Sequence, residues 1–337
     1  MHHANTTPHT RRWRLAGTAA LTTLLALGST GAALAQAYPD KPIKVIVGFP
    51  PGGAADQIAR LVSTPLATAL GQPVVVENRA GANGNIAGDA VAKSPADGYT
   101  LVLGSGGMVS VNPHLSRMTF DPVKDIIPVA SAARVLVYLM ARPTLEVKNV
   151  QELVAIAKAN PGRMTYGSAG SGSSPHLAGE MLKAQAGVFI THIPYRGSGP
   201  AQADFLGNQV PLMVDSVTAA LANIQAGLAV PLAVTSDTRS SQLPDVPTVQ
   251  ESGVPGLKDF VAVGWLGLMA PHGIPADILA RLNREVVDIL RSDAMVKFMR
   301  DRGSEAAPTT GPEFDRFIAS EIIKWGAAVK ASGATAD

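Results

Sequence analysis

Residues 43–66 read IKVIVGFPPGGAADQIARLVSTPL. Ile43–Val47 is a short β-branched run with the composition of a buried strand. After the turn, Ile58, Leu61, Val62, Leu66 and Leu70 recur at helical spacing until Gly71 stops them. Pro65 lies inside that helical pattern and is expected to kink or divide it. A strand passed to a helix through a proline-glycine turn is half of a βαβ unit. Open α/β sheets of this type bind ligands at the carboxyl ends of their strands.

The same alternation continues outward from this unit. Val74–Val76 reads as a second strand, Ile86–Ala92 as a short helix, and Tyr99–Leu103 as a third strand ending in Gly104-Ser105-Gly106-Gly107. A second series then starts with one strand over Val135–Ala141, placed to cross between domains. Helix Val150–Ala159, strand Met164–Tyr166, loop Gly167–Pro175 and helix His176–Ala186 follow. Strands at Ile190–Ile193, Val210–Val214 and Val230–Thr235 alternate with helices at Pro200–Leu206 and Thr218–Ala226. Gly264–Met269 gives one more strand before helices over Ala276–Ser292, Asp293–Arg302 and Gly311–Ser332. A helical tail after the second series packs on something already built. The expectation is therefore a discontinuous domain I, residues 38–140 plus 260–337, and a domain II over 141–259.

Residues 1–37 have the pattern of a secretory signal peptide: Arg11, Arg12 and Arg14, an apolar stretch from Leu15 to Leu27, and small residues ending Ala33-Leu34-Ala35-Gln36-Ala37. Cleavage is expected after Ala35 or Ala37, and Arg11-Arg12 also permits twin-arginine export. The apolar stretch is short of the ~20 residues a membrane span requires. The leader removes three cations and no acid, which turns a formal charge of +2 into −1. The basic balance of the whole chain therefore carries no argument for nucleic acid. There is no cysteine, so an exported chain of this length has to rely on its hydrophobic cores.

Four glycine-rich loops follow strands, and three of them precede helices. In Phe49-Pro50-Pro51-Gly52-Gly53-Ala54, the glycines allow close approach to backbone N–H groups and the prolines stiffen the loop. It fits a carboxylate, and equally a tight structural turn. Asp56 has the wrong charge for a direct anion contact and is read as a cap or orienter. Ser168-Ala169-Gly170-Ser171-Gly172-Ser173, leading to His176, is a second cradle or a flexible loop. Arg196-Gly197-Ser198 offers a guanidinium fork and another helix start, or a plain surface charge. Ser105, in the fourth loop, is a candidate contact or part of a bland turn. His176 suits ligand contact or helix capping. Asp215 suits a ligand amine or the end of a strand. Trp265 fits hinge or core packing better than ligand stacking.

Patterns of catalysis are missing. No G-x-S-x-G surrounds any of the candidate serines, and neither a nucleotide-binding loop nor a dinucleotide fingerprint occurs. His114, His176, His192 and His272 lack metal-ligand spacing. The pattern suits a protein that holds an acid without transforming it, with no metal and no cofactor.

Several motifs in order resemble the tripartite tricarboxylate transporter substrate-binding proteins, the TctC-like or Bug receptors. They are Tyr38-Pro39-Asp40-Lys41-Pro42-Ile43 leading to Phe49–Gly53, Val74–Arg79 with Gly81 and Gly84-Asn85-Ile86, and Ala96-Asp97-Gly98-Tyr99-Thr100-Leu101. Tyr166–Gly170, Pro194-Tyr195-Arg196-Gly197, Leu232–Thr235 and Pro244-Asp245-Val246-Pro247-Thr248 continue the series. The resemblance covers residues 38 to 330. It implies an α/β, two-domain periplasmic-binding-protein clamp of type II-like form, with a parallel-rich sheet in each domain and the ligand cleft between them. It also implies a periplasmic, monomeric receptor that closes on a small organic carboxylate and hands it to the membrane subunits of a tripartite tricarboxylate transporter. Carried over by residue, Phe49, Pro50, Gly52, Gly53 and Ala54 hold a carboxylate with Ser168, Ala169, Gly170, Gly172 and Ser173. Arg196, Gly197, Ser198 and Asp215 face the ligand's other end. The segment ANIQAGLAV, residues 222–230, departs from the family's more basic pattern there. A ligand sensor is the rival within the binding class. A periplasmic hydrolase or isomerase using Ser168, Ser173 or His176 is the rival outside it.

Overall fold

The computed structural model describes residues 1–3, 38–301 and 304–332. The expected leader, with its cleavage sites, falls mostly on residues 4–37 and so lies outside the described residues. Residues 1–40 form a unit of their own, and everything below concerns the unit from Lys41 onward.

The first sheet takes its strands from both ends of that unit. These are β1 (Ile43–Val47), β2 (Val74–Asn78), β3 (Thr100–Ser105), β4 (Ile126–Val135), β10 (Gly264–Pro271) and β11 (Glu305–Ala306), in the order β11-β4-β10-β3-β1-β2. β2, β1 and β3 run parallel, while β10 lies antiparallel between β3 and β4. The second sheet comprises β5 (Val137–Ala141), β6 (Thr165–Ser168), β7 (Thr191–Pro194), β8 (Leu212–Ser216) and β9 (Val230–Val234), in the order β7-β6-β8-β5-β9. β7, β6 and β8 are parallel and β5 is antiparallel to both its neighbours. The fold is α/β with two sheets, each in its own domain.

The run read as one strand over Val135–Ala141 is two strands. β4 ends in the first sheet at Val135, Leu136 is the buried junction, and β5 begins the second sheet at Val137. The strand signal of β4 is broken before Val135, because Pro128 interrupts Ile126, Ile127 and Val129, and Ala130, Ser131, Ala132 and Ala133 follow. Pro128 stands where the β4–β10 register shifts, between Leu268 and Met269. A bulge of this kind is where a strand tolerates a missing N–H.

Nine helices carry the argument: α1 (Ala54–Leu70), α2 (Asn85–Ala92), α3 (Val150–Ala159), α4 (Ser174–Ala186), α5 (Ser198–Leu206), α6 (Val217–Gln225), α7 (Ala276–Arg291), α8 (Asp293–Arg300) and α9 (Gly311–Ser332). α1 runs undivided through Pro65. Its Ile58, Ala59, Val62, Leu66 and Leu70 are buried on one face, and that packing outweighs the one backbone bond a proline removes. Helices α1, α4 and α5 each begin within a few residues of a parallel strand's carboxyl end, so three helix starts point toward one place.

The last helix packs in both domains. Phe314 and Ile318 of α9 join the core around Ile46, Val102 and Trp265, whereas Trp325 and Val329 join the core around Leu139, Leu153 and Leu177. Among the described residues no helix is long and apolar enough to cross a membrane.

Gly267 of β10 fixes the first seat of α9. A Cβ there would stand 2.2 Å from Phe314 Cζ and 3.0 Å from the Ala130 carbonyl. Gly267→Ala should therefore destabilise the protein by about 1–3 kcal/mol, through overpacking against a ring that has no room to retreat. Urea denaturation measures this, and wild-type stability in the variant would refute the seat.

Candidate functional site

A cleft of about 360 Å³ lies where the loops of the two sheets meet. That volume is at the lower end of the range for small-molecule sites. The first domain contributes Phe49, Pro50, Pro51, Gly53, Ala54 and Ala55, together with Asn83, Ser105, Gly107, Val135, Gly264, Trp265 and Leu266. The second contributes Ala169, Ser173, Ser174 and Pro175, then Arg196 through Pro200, then Asp215 and Ser216. Of the residues expected from sequence, Phe49, Pro50, Gly53, Ala54, Ser105, Ala169, Ser173, Arg196, Gly197, Ser198 and Asp215 come together on this wall. Gly52, Ser168, Gly170, Gly172 and His176 do not line it. They lie in the same loops, and their hydrogen bonds show what they do there.

The first loop is held from beneath by Asp56. Gly52 is left-handed, with φ of 86°, and donates its N–H to Asp56 Oδ2 at 3.0 Å. Asn78 Nδ2 reaches Asp56 Oδ1 at 2.9 Å and the Phe49 carbonyl at 3.0 Å, while Arg60 Nε donates to both carboxylate oxygens at 3.1 Å. Burial alone would raise the Asp56 pKa, but the bonds from Arg60, Gly52 and Asn78 outweigh it and hold the carboxyl below the usual range. Asp56 is thus the orienter of the loop. Its charge is turned away from the cleft and satisfied, and the N-cap Gly53 leaves the start of α1 without a side-chain cap.

The second loop is held by histidines. Gly172 donates its N–H to His176 Nδ1 at 3.0 Å, and Gly170 donates to Ser168 Oγ at 3.2 Å. Ser168 Oγ pairs with His192 Nε2 at 2.7 Å, and the rings of His176 and His192 stack with centroids 4.1 Å apart. Ser173 caps α4 by accepting the His176 N–H. Tyr166, beneath them, donates to Glu180 Oε1 at 2.8 Å, and Lys183 closes an ion pair on the same carboxylate. Burial drives the His192 pKa down to about 3, with the neighbouring His176 and Lys183 adding to the effect. Ser168 is fully buried, and its contact with His192 lies behind the cleft. This serine-histidine pair has no access to a substrate, which removes the geometric basis for a hydrolase built on Ser168. Among the described residues no group of three His, Asp or Glu side chains could hold a metal ion.

The third loop supplies the cleft's cation. Arg196 is exposed on the rim and makes no hydrogen bond or ion pair with another described residue. Gly197, at φ of 111°, starts α5 without a side-chain cap, and its own N–H is used by the Ala169 carbonyl at 3.1 Å. The beginnings of α1 and α5 therefore bring uncapped N–H groups to one cleft from two domains. Deeper in, fully buried Asp215 accepts from Ser198 Oγ at 2.8 Å, Gln202 Nε2 at 2.9 Å and the Ser216 N–H at 2.7 Å. Burial raises its pKa, and these donors counter the rise.

Sequence reasoning did not place Asn83 or Trp265 on the wall. Asn83, left-handed at φ of 49°, bonds Asn112 Oδ1 at 3.1 Å, and asparagine's tolerance of that conformation was the available signal. Trp265 does pack in the core, edge-on to Phe314 at 5.3 Å, and the same ring forms cleft wall. A larger groove of about 880 Å³ lies against Ile58, Leu61, Met295 and Phe298 on α1 and α8. It gathers no uncapped helix starts, so the smaller cleft is the candidate site.

A profile described as tripartite tricarboxylate transporter family receptor matches residues 58–334. Bordetella pertussis protein BugT is 41% identical over 303 residues, 89% of this chain and 92% of its own length. A Pseudomonas sp. protein encoded in a tcbD-tcbE intergenic region is 39% identical over 316 residues, 94% of this chain and 92% of its own. Among solved structures, R. palustris Rpa4515 with adipate has a TM-score of 0.84 at 35% identity, covering 89% of this chain and all of its own. MatC from Rhodopseudomonas palustris, with bound malate, gives 0.80 at 30%, covering 87% and all of its own.

Two acid-range outcomes follow from the loop supports. Asp56→Ala should cost about 1–3 kcal/mol, since it leaves the Gly52 and Asn78 donors unpaired. The charge-linked stabilisation from Asp56 is complete above its unfolded pKa of 3.8 and is lost as pH falls through the lower folded value, so the variant's deficit should narrow in strong acid. His192 acts earlier: below about 6.5 the unfolded chain takes up a proton that the folded chain refuses until about 3. Stability should fall across that window by about 1.4 kcal/mol per pH unit from this group. Denaturant titrations at stepped pH should find His192→Gln shallower, and equal slopes would contradict the half-buried neutral imidazole.

Proposed function

Because the chain belongs to the tripartite tricarboxylate transporter family of receptors, we propose that it captures a small organic carboxylate in the periplasm and delivers it to the membrane subunits of such a transporter. The family consists of solute-binding receptors and not enzymes. The adipate-bound and malate-bound relatives support the carboxylate class.

One observation carries the proposal: the uncapped starts of α1 and α5, from different domains, meet at one cleft beside Arg196, which has no partner among the described residues. Each helix start brings unpaired N–H groups and a partial positive charge. An anion between them binds both domains at once, which only the closed arrangement permits, and this differential contact drives closure. The carboxylate is held by Gly53 and Ala54 from the first domain and by Ala169, Ser198 and the Ser173 hydroxyl from the second, the Ser173 N–H being taken by the Gly170 carbonyl. Gly52, Gly170 and Gly172 shape the loops, because their N–H groups are already engaged. We assign the two jaws by sheet membership, with the first domain ending near Leu136 and resuming near Gly264. The receptor acts as a monomer.

Gly53 offers a clean test. Only the Pro50 carbonyl, at 3.8 Å, comes within 4 Å of a Cβ built there, so a side chain fits the fold and fills the cleft. In a thermal-shift screen of carboxylic acids, a binder at 100 times its Kd should stabilise wild type by about 2.7 kcal/mol. Gly53→Leu should keep its unliganded Tm and lose the response to every acid, and retained binding would refute the anchor. Delivery is tested separately: cells lacking this chain should lose uptake of the bound acid and regain it with wild type but not with Gly53→Leu.

A further inference from the structure

The buried end of the cleft is built to accept hydrogen bonds, although its mouth donates them. Asn223 Nδ2 donates to Gln202 Oε1 at 2.7 Å, which turns the other end of that amide, Nε2, onto Asp215 Oδ2 at 2.9 Å. The Ser216 N–H donates to Asp215 Oδ1 at 2.7 Å, and the Ser216 hydroxyl adds a further bond. Ser198 Oγ donates to Oδ1 at 2.8 Å. Two of these partners, Gln202 Nε2 and the Ser216 N–H, can only donate, one to each carboxylate oxygen, and the two hydroxyls supply two donors more. The arrangement therefore fits the ionised carboxylate.

The consequence falls on Ser198. A serine hydroxyl has one proton, and here that proton points inward to Asp215. Toward the cleft Ser198 Oγ can only accept, with a buried negative charge directly behind it. The same residue opens α5, whose free N–H groups attract the ligand's carboxylate. Donor and acceptor thus lie within one residue of each other.

We infer that the cleft selects acids that carry a hydroxyl or ammonium donor close to the carboxylate, 2-hydroxy or 2-amino acids, over the corresponding unsubstituted acids. This rests on the carboxylate-binding reading above and narrows it. A hydroxyl or ammonium at this position bonds Ser198 Oγ and is favoured by the Asp215 charge, whereas a methylene leaves the acceptor desolvated and unpaired. A second carboxylate at the same spot is repelled.

Isothermal titration with matched sets tests the inference: succinate, malate and aspartate; glutarate, 2-hydroxyglutarate and glutamate; butyrate, 2-hydroxybutyrate and 2-aminobutyrate; phenylacetate, mandelate and phenylglycine. In the set that binds tightest, a substituted member should bind at least about tenfold tighter than the plain acid, the gain expected of one well-paired polar group. Ser198→Ala and, independently, Asp215→Asn should bring that ratio to within about threefold of unity, whatever happens to the absolute affinities. Plain acids binding as tightly as their substituted partners, or ratios unchanged in Ser198→Ala, would overturn the inference and leave the carboxylate reading standing. If no acid in any set binds, both fall.

Discussion

The arrangement of the cleft depends on one constraint: the N–H groups at two helix starts must stay unpaired while the loops that precede them stay rigid. A loop without internal bonds would be mobile, and one that used the helix N–H groups would have nothing left for a ligand. Asp56 resolves this in the first domain. As the third residue of α1 it reaches back to Gly52, outside the helix, and takes Asn78 and Arg60 as its other partners. Its charge suits the helix dipole, yet its lone pairs are occupied on the side away from the cleft. A capping serine at Gly53 would have satisfied the same helix and removed donors from the site.

The second domain meets the constraint with neutral groups. His176 Nδ1 accepts the Gly172 N–H and Ser168 Oγ accepts the Gly170 N–H, so the loop folds on side chains from its own helix and strand. An ionised carboxylate supporting this loop would have added a second negative charge to that of Asp215 on the same side of the cleft. The stacked imidazoles avoid that, at the cost of a buried polar cluster tied off by Tyr166, Glu180 and Lys183. The two jaws therefore reach similar loop geometries by different chemistry.

The parallel strands, their helices and the glycine loops were legible because each is encoded locally: β-branched runs, helical periodicity and turn residues in immediate succession. β4 was not, since Pro128 and the run Ala130–Ala133 interrupt its β-branched residues, and it is pairing with β10 and β11 that holds them in a strand. The break at Leu136 was hidden for a similar reason. Two strands of different sheets are joined by one buried residue, and the run stays apolar throughout. In the site, sequence located the loops and the family resemblance supplied the clamp, but neither says which N–H groups are already bonded. That separates Gly52, Gly170 and Gly172 from Gly53, and it depends on Asp56, Ser168 and His176 folding back over two to four residues. Asn83 and Trp265 belong to the wall through tertiary packing alone.

The chain crosses between the two sheets at Leu136 and returns before Gly264, and α9 adds a third link by placing Phe314 in one core and Trp325 in the other. Any rotation of one sheet against the other must be absorbed at all three. The first is a single residue between two strands, and the second follows the irregular segment that precedes β10. α9 is a continuous helix that bends little, so it must keep one seat and slide at the other. Gly267 presses the Phe314 seat closely, and the Trp325 seat is tied within α9 itself by the indole N–H to Glu321. The second seat lies against α4, the helix whose first turn anchors the histidine-held loop. Movement at that seat and the position of the loop are therefore coupled through one rigid helix. α9, remote from the cleft in sequence, thus packs in both cores and on the helix that follows the histidine-held loop.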